Sequence, residues 1–325
     1  MTGFIWTVVL VIAFYLAVKL VHSLIKPKKL KLHSMTPPRD LGYRHPEVLP
    51  LVKKLKRSLR PEFISKVKAR VLANHPHWTD HDFDWRLFEL KRYFILNKIL
   101  NSVPMFSEEV DEIWHEMLMF TKDYEAFSKE FYGSFLHHNP TMEVVPIPHD
   151  RAFFDWMYLQ LFEPTPNSRI LWGRFLQHPL ETSLLDDFRV ESEDILLEKY
   201  FHSGDRDEKL KRSLVQLFQK DLSEADTIQR SNSLAPFKPL SSDANYSYLL
   251  TAMVFYSVYH PDNYLEEIGA LMPKEAASGY SSTSGCSSFA CSSYNDHHDG
   301  GGGSDSSCSG SSSSCGSGCG GGCSS

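Results

Sequence analysis

The chain has 325 residues, which is enough for one or two domains with a substantial core. Hydrophobic residues make up 42% and charged residues 23%, as in ordinary globular proteins, and this balance argues against a chain without a folded core. The formal net charge is -6, but Lys and Arg are concentrated between residues 26 and 70 and the remainder is acidic. Such an asymmetry indicates that the basic end faces something negatively charged.

Residues 3–25 form an apolar segment that is interrupted by a single charge, at Lys19. About 20 apolar residues suffice for a helix to cross a bilayer, so the segment predicts a transmembrane helix. A cleaved signal peptide is the rival interpretation, but no basic residue precedes Phe4 and no small-residue cleavage motif follows Ile25.

The lysines that follow this segment predict the topology of the chain. Under the positive-inside rule they favour a single-pass protein of the cell membrane, with its N-terminus outside and its body in the cytoplasm. Segment 26–70 then suits the anionic lipid surface of the inner leaflet. Nucleic acid is a less favoured partner, and a solvated helical face remains the plainest alternative. The lysines concerned are Lys26, Lys28, Lys29 and Lys31.

The body is predicted to be all-α, with a basic linker at 26–46 and one helical domain at 47–275. The alternative is a subdivision of this domain near 140–148, where VVPIP predicts an extended loop. Thr79 and Ser107 are predicted N-caps, because short hydroxyl side chains satisfy the first amides of a helix. Ser247 to Tyr259 is too short to span a bilayer and predicts a buried core helix.

From 276 to 325 the chain is rich in Ser, Gly and Cys, which predicts a disordered tail. All six cysteines lie here, so disulfides do not hold the body together. Cys315, Cys319 and Cys323 recur every four residues and are candidates for metal or redox chemistry. The nearby sequence Asp296-His297-His298-Asp299 offers further ligands, and disulfide formation is the third alternative.

The segment VDEIWHEMLMF contains the most informative pattern in the body. Its apolar residues recur at spacings of three and four, which predicts a helix with Trp114 in the core. Asp111 and His115 are four residues apart and therefore share one helix face. A carboxylate in that position can fix the tautomer of an imidazole and leave its other nitrogen for a proton, a metal or a partner.

His137 and His138 follow in the sequence FLHHNP and could complete a transition-metal site, for example for zinc, with Asp111 and His115. The spacing permits this site only if FLHHNP folds back towards the helix. The alternative is a structural Asp–His pair, with His137 and His138 forming a polar helix end.

The order VDEIWH, FTKDY and FLHHNP, together with the Gly/Ser/Cys-rich tail, resembles the glycine-rich domain-containing protein family. The resemblance covers about 40 residues closely and implies no particular reaction, since the family has no settled biochemical function. No P-loop, G-x-S-x-G or H-E-x-x-H motif is present.

Two functions follow from these observations. The first is an interaction or scaffolding module at the cytoplasmic face of the membrane, with an unidentified protein partner. The second is a metal-dependent enzyme or metal-binding protein built on Asp111, His115, His137 and His138. Gathering of these four side chains favours the second function, and their dispersal on separate faces favours the first.

Overall fold

The computed structural model describes residues 31–139, 147–204, 207–231, 237, 247–272 and 292–295. Twelve α-helices and two short strands lie within these ranges. The helices are α1 (Leu49–Ser58), α2 (Pro61–Asn74), α3 (Asp80–Ile99), α4 (Glu108–Leu118), α5 (Thr121–Phe131), α6 (Pro148–Leu161), α7 (Pro166–Leu171), α8 (Thr182–Val190), α9 (Glu193–Tyr200), α10 (Glu208–Ser231), α11 (Ser247–Tyr259) and α12 (Tyr264–Leu271). The strands β1 (Leu136–Asn139) and β2 (Ser292–Asn295) pair in antiparallel orientation.

The helix boundaries follow from local chemistry. Thr79 and Asp82 form a reciprocal capping box at the start of α3, and the Ser107 hydroxyl accepts from the Val110 amide at 3.2 Å at the start of α4. Pro61 occupies the first turn of α2, where its missing N–H leaves no helical hydrogen bond unmade. Both predicted N-caps are confirmed.

Helix α3 is the central element, because it is buried around most of its circumference. Its interior carries a charged pair, Glu89 and Arg92, both without solvent exposure. The Glu89 carboxylate accepts hydrogen bonds from Tyr158 at 2.6 Å, Ser168 at 2.7 Å and Trp172 at 2.8 Å. These bonds compensate for the removal of the carboxylate from water and join α3 to α6 and α7.

The described part of the predicted linker lies against the domain. Arg92 donates to the Leu41 carbonyl at 2.9 Å, and Trp85 donates to the Met35 carbonyl at 2.9 Å. The Asn167 side chain accepts from the His33 amide at 2.7 Å and donates to the His33 carbonyl at 3.0 Å. Residues 33–41 are therefore fixed to α3 and α7 by long-range hydrogen bonds.

The second half of the domain packs α10 against α11, with α6, α8, α9 and α12 around them. Asp221 on α10 accepts from Trp156 of α6 at 3.0 Å and from Thr251 of α11 at 2.8 Å. Burial raises the pKa of this carboxyl from 3.8 to about 6. Residues 249–257 of helix α11 are buried, in agreement with the predicted core helix.

The mostly helical architecture is confirmed for the described residues, but the predicted membrane topology needs correction. In the part of the chain that the structure describes, no helix combines the length and the apolar character needed to cross a bilayer. The fold class is accordingly corrected to a helical domain without a described membrane span. The single-pass localisation at the cell membrane, which depended on such a helix, is withdrawn. The predicted helix at 3–25 lies outside the described residues.

Three further predictions fall wholly or partly on residues that the structure does not describe. The proposed subdivision near 140–148 and most of VVPIP lie there, although α6 begins at Pro148. Of the tail at 276–325, only residues 292–295 are described, and they form β2. Cys315, Cys319, Cys323 and the Asp296-His297-His298-Asp299 sequence lie outside the described residues.

Candidate metal centre

Helix α4 places the first two side chains of the candidate site. Its buried face is formed by Val110, Ile113, Trp114 and Met117, all without solvent exposure. Burial of this stripe fixes the rotation of the helix about its axis and turns Asp111 and His115, one helical turn apart, to the adjacent face.

The chain then folds back so that a later histidine reaches the same face. Helix α4 ends at Leu118, α5 runs from Thr121 to Phe131, and Gly133 adopts a positive φ of 94° before β1 begins. Glycine tolerates this conformation because it has no Cβ. The reversal brings His138 of β1 beside α4. The predicted metal site requires such a fold-back, which the sequence alone did not establish.

Tyr124 fixes the start of β1 to α4. Its hydroxyl accepts from the Trp114 indole N–H at 2.9 Å and donates to the Leu136 carbonyl at 2.8 Å. Burial raises the pKa of the Tyr124 hydroxyl, so the group stays protonated and available as a donor. This relay, which the sequence did not predict, couples the core tryptophan to the strand that carries His138.

Asp111 lies between the two histidines. Its Oδ1 is 2.8 Å from Nε2 of His138, and its Oδ2 is 3.4 Å from Nε2 of His115. One donor atom from each of these three residues lies within 4.8 Å of the other two. Metal ligands at about 2.0–2.2 Å from a common ion lie roughly 3–4 Å apart, and the separations among these three donors are close to that range.

The three side chains differ strongly in exposure. Asp111 and His138 are 6% and 2% exposed, whereas 46% of the His115 side chain faces solvent. The His138 ring packs against Trp114 at 4.3 Å and against His115 at 4.7 Å between ring centroids. The site is thus buried on its inner side and open to water on the side of His115.

His137, the fourth predicted ligand, does not join this group. Successive side chains of a strand point to opposite faces, so His137 turns away from α4 when His138 turns towards it. Its ring packs against Phe135 at 4.8 Å between centroids. The prediction included both histidines of FLHHNP because imidazoles are common transition-metal ligands. The sequence did not show that these residues form a strand, in which neighbouring side chains point to opposite faces.

Three other carboxylates of α4 are paired with residues of α2, of the turn that follows α2, and of α3. Glu116 binds Arg70 and, at 2.6 Å, Asn74, while Glu112 lies 2.9 Å from His75 Nε2. Glu109 binds Arg86 of α3. These contacts hold α4 against α2 and α3 and leave Asp111 as the carboxylate that faces β1.

Several basic residues of segment 26–70 also pair with acids of the domain. Lys66 binds Asp123 at 2.8 Å, and Lys68 lies 3.2 Å from Asp84. These ion pairs use part of the positive charge that was expected to face anionic lipid. The assignment of a lipid partner to this segment stays a prediction.

Comparisons with known proteins bear on one part of the chain. No curated protein and no solved structure matches the chain. The resemblance to the glycine-rich domain-containing family stays a prediction. Residues 52–151 match the model of a family described as UCP032817-like. The chain is therefore similar to that family from α1 to the first turn of α6, and this stretch includes Asp111, His115 and His138.

Proposed function

We propose that the protein binds a divalent transition-metal ion through Asp111, His115 and His138, and that this ion is its functional centre. The observation that carries the proposal is the convergence of one carboxylate and two imidazoles from α4 and β1, with donor atoms within 4.8 Å. Two elements separated by a helix and a turn supply the donors, so the cluster is a product of the fold and not of local sequence spacing alone.

The donor set indicates which metals fit. Imidazole suits zinc, copper, iron and nickel, and two histidines with one carboxylate form the set found in non-haem iron(II) sites and in several catalytic zinc sites. Three protein ligands leave at least one coordination position for water or substrate. This arrangement is typical of catalytic metal sites, whereas structural zinc sites are usually closed by four protein ligands.

A purely structural Asp–His pair explains less of the geometry. His138 occupies one oxygen of the buried Asp111 carboxylate at 2.8 Å, so these two side chains alone would complete a structural pair. A second imidazole from the same helix as Asp111 then stands beside the first, at 4.7 Å between ring centroids. Two imidazoles around one carboxylate gain from a shared cation, because each then directs a lone pair at it.

Interaction or scaffolding was expected if the four predicted side chains were dispersed. Three of the four gather in one place, and this favours metal-dependent chemistry over an interaction module. An unidentified protein partner stays a prediction that no contact of the described residues supports or contradicts.

Metal analysis of the purified full chain tests the proposal. We expect about one equivalent of bound zinc, copper, iron or nickel per chain, and a loss of at least tenfold in affinity in the His138→Ala and Asp111→Asn variants. His137→Ala is the matched control, since it removes the neighbouring imidazole from the opposite face of β1. A metal-free chain that takes up no added Zn²⁺ or Fe²⁺ would overturn the proposal, as would equal losses in His137→Ala and His138→Ala.

A further inference from the structure

Strand β1 carries His138, and it has one strand partner among the described residues. That partner is β2, which lies far along the chain in the Ser/Gly/Cys-rich tail. The antiparallel register places Ser293 opposite His138 and Asn295 opposite Leu136. The tail therefore meets the candidate metal centre at one of its ligands.

The two ends of β1 are held differently. Leu136, at the start of β1, is without solvent exposure, and its carbonyl accepts from Tyr124 at 2.8 Å. His138 lies two residues farther on, beyond this tie, and its backbone is opposite β2. Pairing with the tail therefore contributes to the extended backbone that directs His138 at Asp111, beside the contacts of the His138 side chain itself.

A two-stranded ribbon of four residues per strand is marginally stable in water. Such a pairing shifts readily between docked and undocked states, and a modest binding free energy is enough to change its population. A metal ion that needs His138 in its present orientation interacts differently with the two states, which is the requirement for coupling.

We propose, on the basis of the function proposed above, that metal binding at Asp111, His115 and His138 and docking of the tail strand Ser292–Asn295 on β1 stabilise one another. The tail is recognised through its main chain, as in β-strand addition, where backbone hydrogen bonds supply the affinity. Linkage is reciprocal, so the metal holds the tail and the tail raises the affinity for the metal by the same factor.

The test compares Zn²⁺ affinity in full-length chains whose six tail cysteines are replaced by serine, so that thiols do not compete for the ion. Replacing both Ser293 and Tyr294 by proline removes two adjacent strand amides, one of which faces β1 in either hydrogen-bonding phase. Ser311→Pro with Ser312→Pro is the matched control in the same tail. We expect the first pair to weaken Zn²⁺ binding by about tenfold and the control pair to leave it unchanged.

Hydrogen exchange of residues 292–295 provides the reciprocal measurement. Added Zn²⁺ should increase amide protection there in the cysteine-free chain and have no such effect in its His138→Ala variant. Equal Zn²⁺ affinity in both proline variants, or amide protection of residues 292–295 that does not change with Zn²⁺, would overturn the coupling while leaving the metal centre intact. Absence of Zn²⁺ binding in the parent chain would instead overturn the proposed function itself. A zinc-dependent dimer in sedimentation would mean that β2 comes from a second copy, and would overturn docking within one chain.

Discussion

At the scale of single residues, neighbouring side chains within one turn of α4 have different roles in the candidate centre. Trp114 turns inward and is fully buried, while Asp111 and His115 on either side of it turn towards β1. The indole does more than fill space, because its N–H fixes the Tyr124 hydroxyl that in turn holds Leu136. A core side chain and a candidate ligand are thus connected through two hydrogen bonds.

Tyr124→Phe tests this relay by removing one oxygen atom. The change leaves the Trp114 N–H and the Leu136 carbonyl without their buried partner, so we expect the free energy of unfolding to fall by about 2–4 kcal/mol. Urea denaturation measures the loss. Tyr259→Phe is the control: its hydroxyl binds Asp226, a carboxylate that also pairs with Arg189 and is partly exposed, so a loss under about 1 kcal/mol is expected there. Equal losses in the two variants would contradict the relay.

The sequence predicted the residues of α4 well because their positions follow from local rules. The N-cap, the apolar stripe and the shared face of Asp111 and His115 all depend on a spacing of three to four residues. The position of His138 depends on a reversal after α5 and on a strand partner more than 150 residues away. Gly133 marks the end of α5 locally, but neither the direction of the reversal nor the distant partner leaves a local signal. For the same reason the sequence did not show which of His137 and His138 faces the site, because their opposite orientations follow from the strand conformation of β1.

At the scale of elements, the reversal between α5 and β1 determines whether a site can form. Gly133 adopts a left-handed conformation with a φ of 94°, and no atom lies within 4 Å of the position that a Cβ would occupy. Space is therefore available for a side chain, and the cost of one is purely conformational. A substitution at Gly133 therefore tests the cost of the backbone conformation without adding a steric clash.

Gly133→Ala should lower the free energy of unfolding by about 1–2 kcal/mol, because an L-residue is disfavoured at positive φ. It should also weaken metal binding, since it alters the entry of the chain into β1. Gly269→Ala is the matched control: that glycine lies within α12 with equally open surroundings, so alanine there should raise stability by up to about 1 kcal/mol. Thermal or urea unfolding of both variants checks the opposite signs. A stabilising Gly133→Ala would contradict the account of the turn.

At the scale of the whole molecule, the stability of the fold should depend on pH through the junction of α6, α10 and α11. Asp221 is buried there among Trp156 and Thr251, with Glu224 and Lys220 as its nearest charged neighbours, and its pKa is raised from 3.8 to about 6. Burial, the largest cause, penalises the ionised carboxylate in the folded state. The unfolded chain, with an ordinary pKa, loses its proton earlier as the pH rises.

The contribution of Asp221 to stability is therefore greatest below pH 4 and falls as the pH rises to about 6, by about 3 kcal/mol in all. Asp221→Asn retains the shape, an acceptor for the Trp156 N–H and a donor for the Thr251 hydroxyl, but it cannot ionise. We expect the variant to gain stability over the parent chain progressively between pH 4 and pH 7. Denaturation at several pH values measures the difference, and a difference independent of pH would contradict the assignment.

The helical architecture of the body was predictable, because caps and apolar stripes repeat along the chain. The arrangement of the helices was less so, since the central position of α3 depends on burying Glu89 and Arg92, which a pattern of apolar residues assigns to the surface. Burial of this pair requires partners from α6 and α7, and those contacts are formed only in the complete fold.

X-ray absorption spectroscopy of the unmodified full chain loaded with one equivalent of Zn²⁺ tests the central claim most directly. The account predicts a first shell of nitrogen and oxygen at about 2.0–2.1 Å with the multiple-scattering signature of two imidazoles. It also predicts that the signature falls to one imidazole or is lost in His138→Ala and is unchanged in His137→Ala. A first shell of sulfur at about 2.3 Å would place the ion on the cysteines of the tail and would contradict a centre at Asp111, His115 and His138.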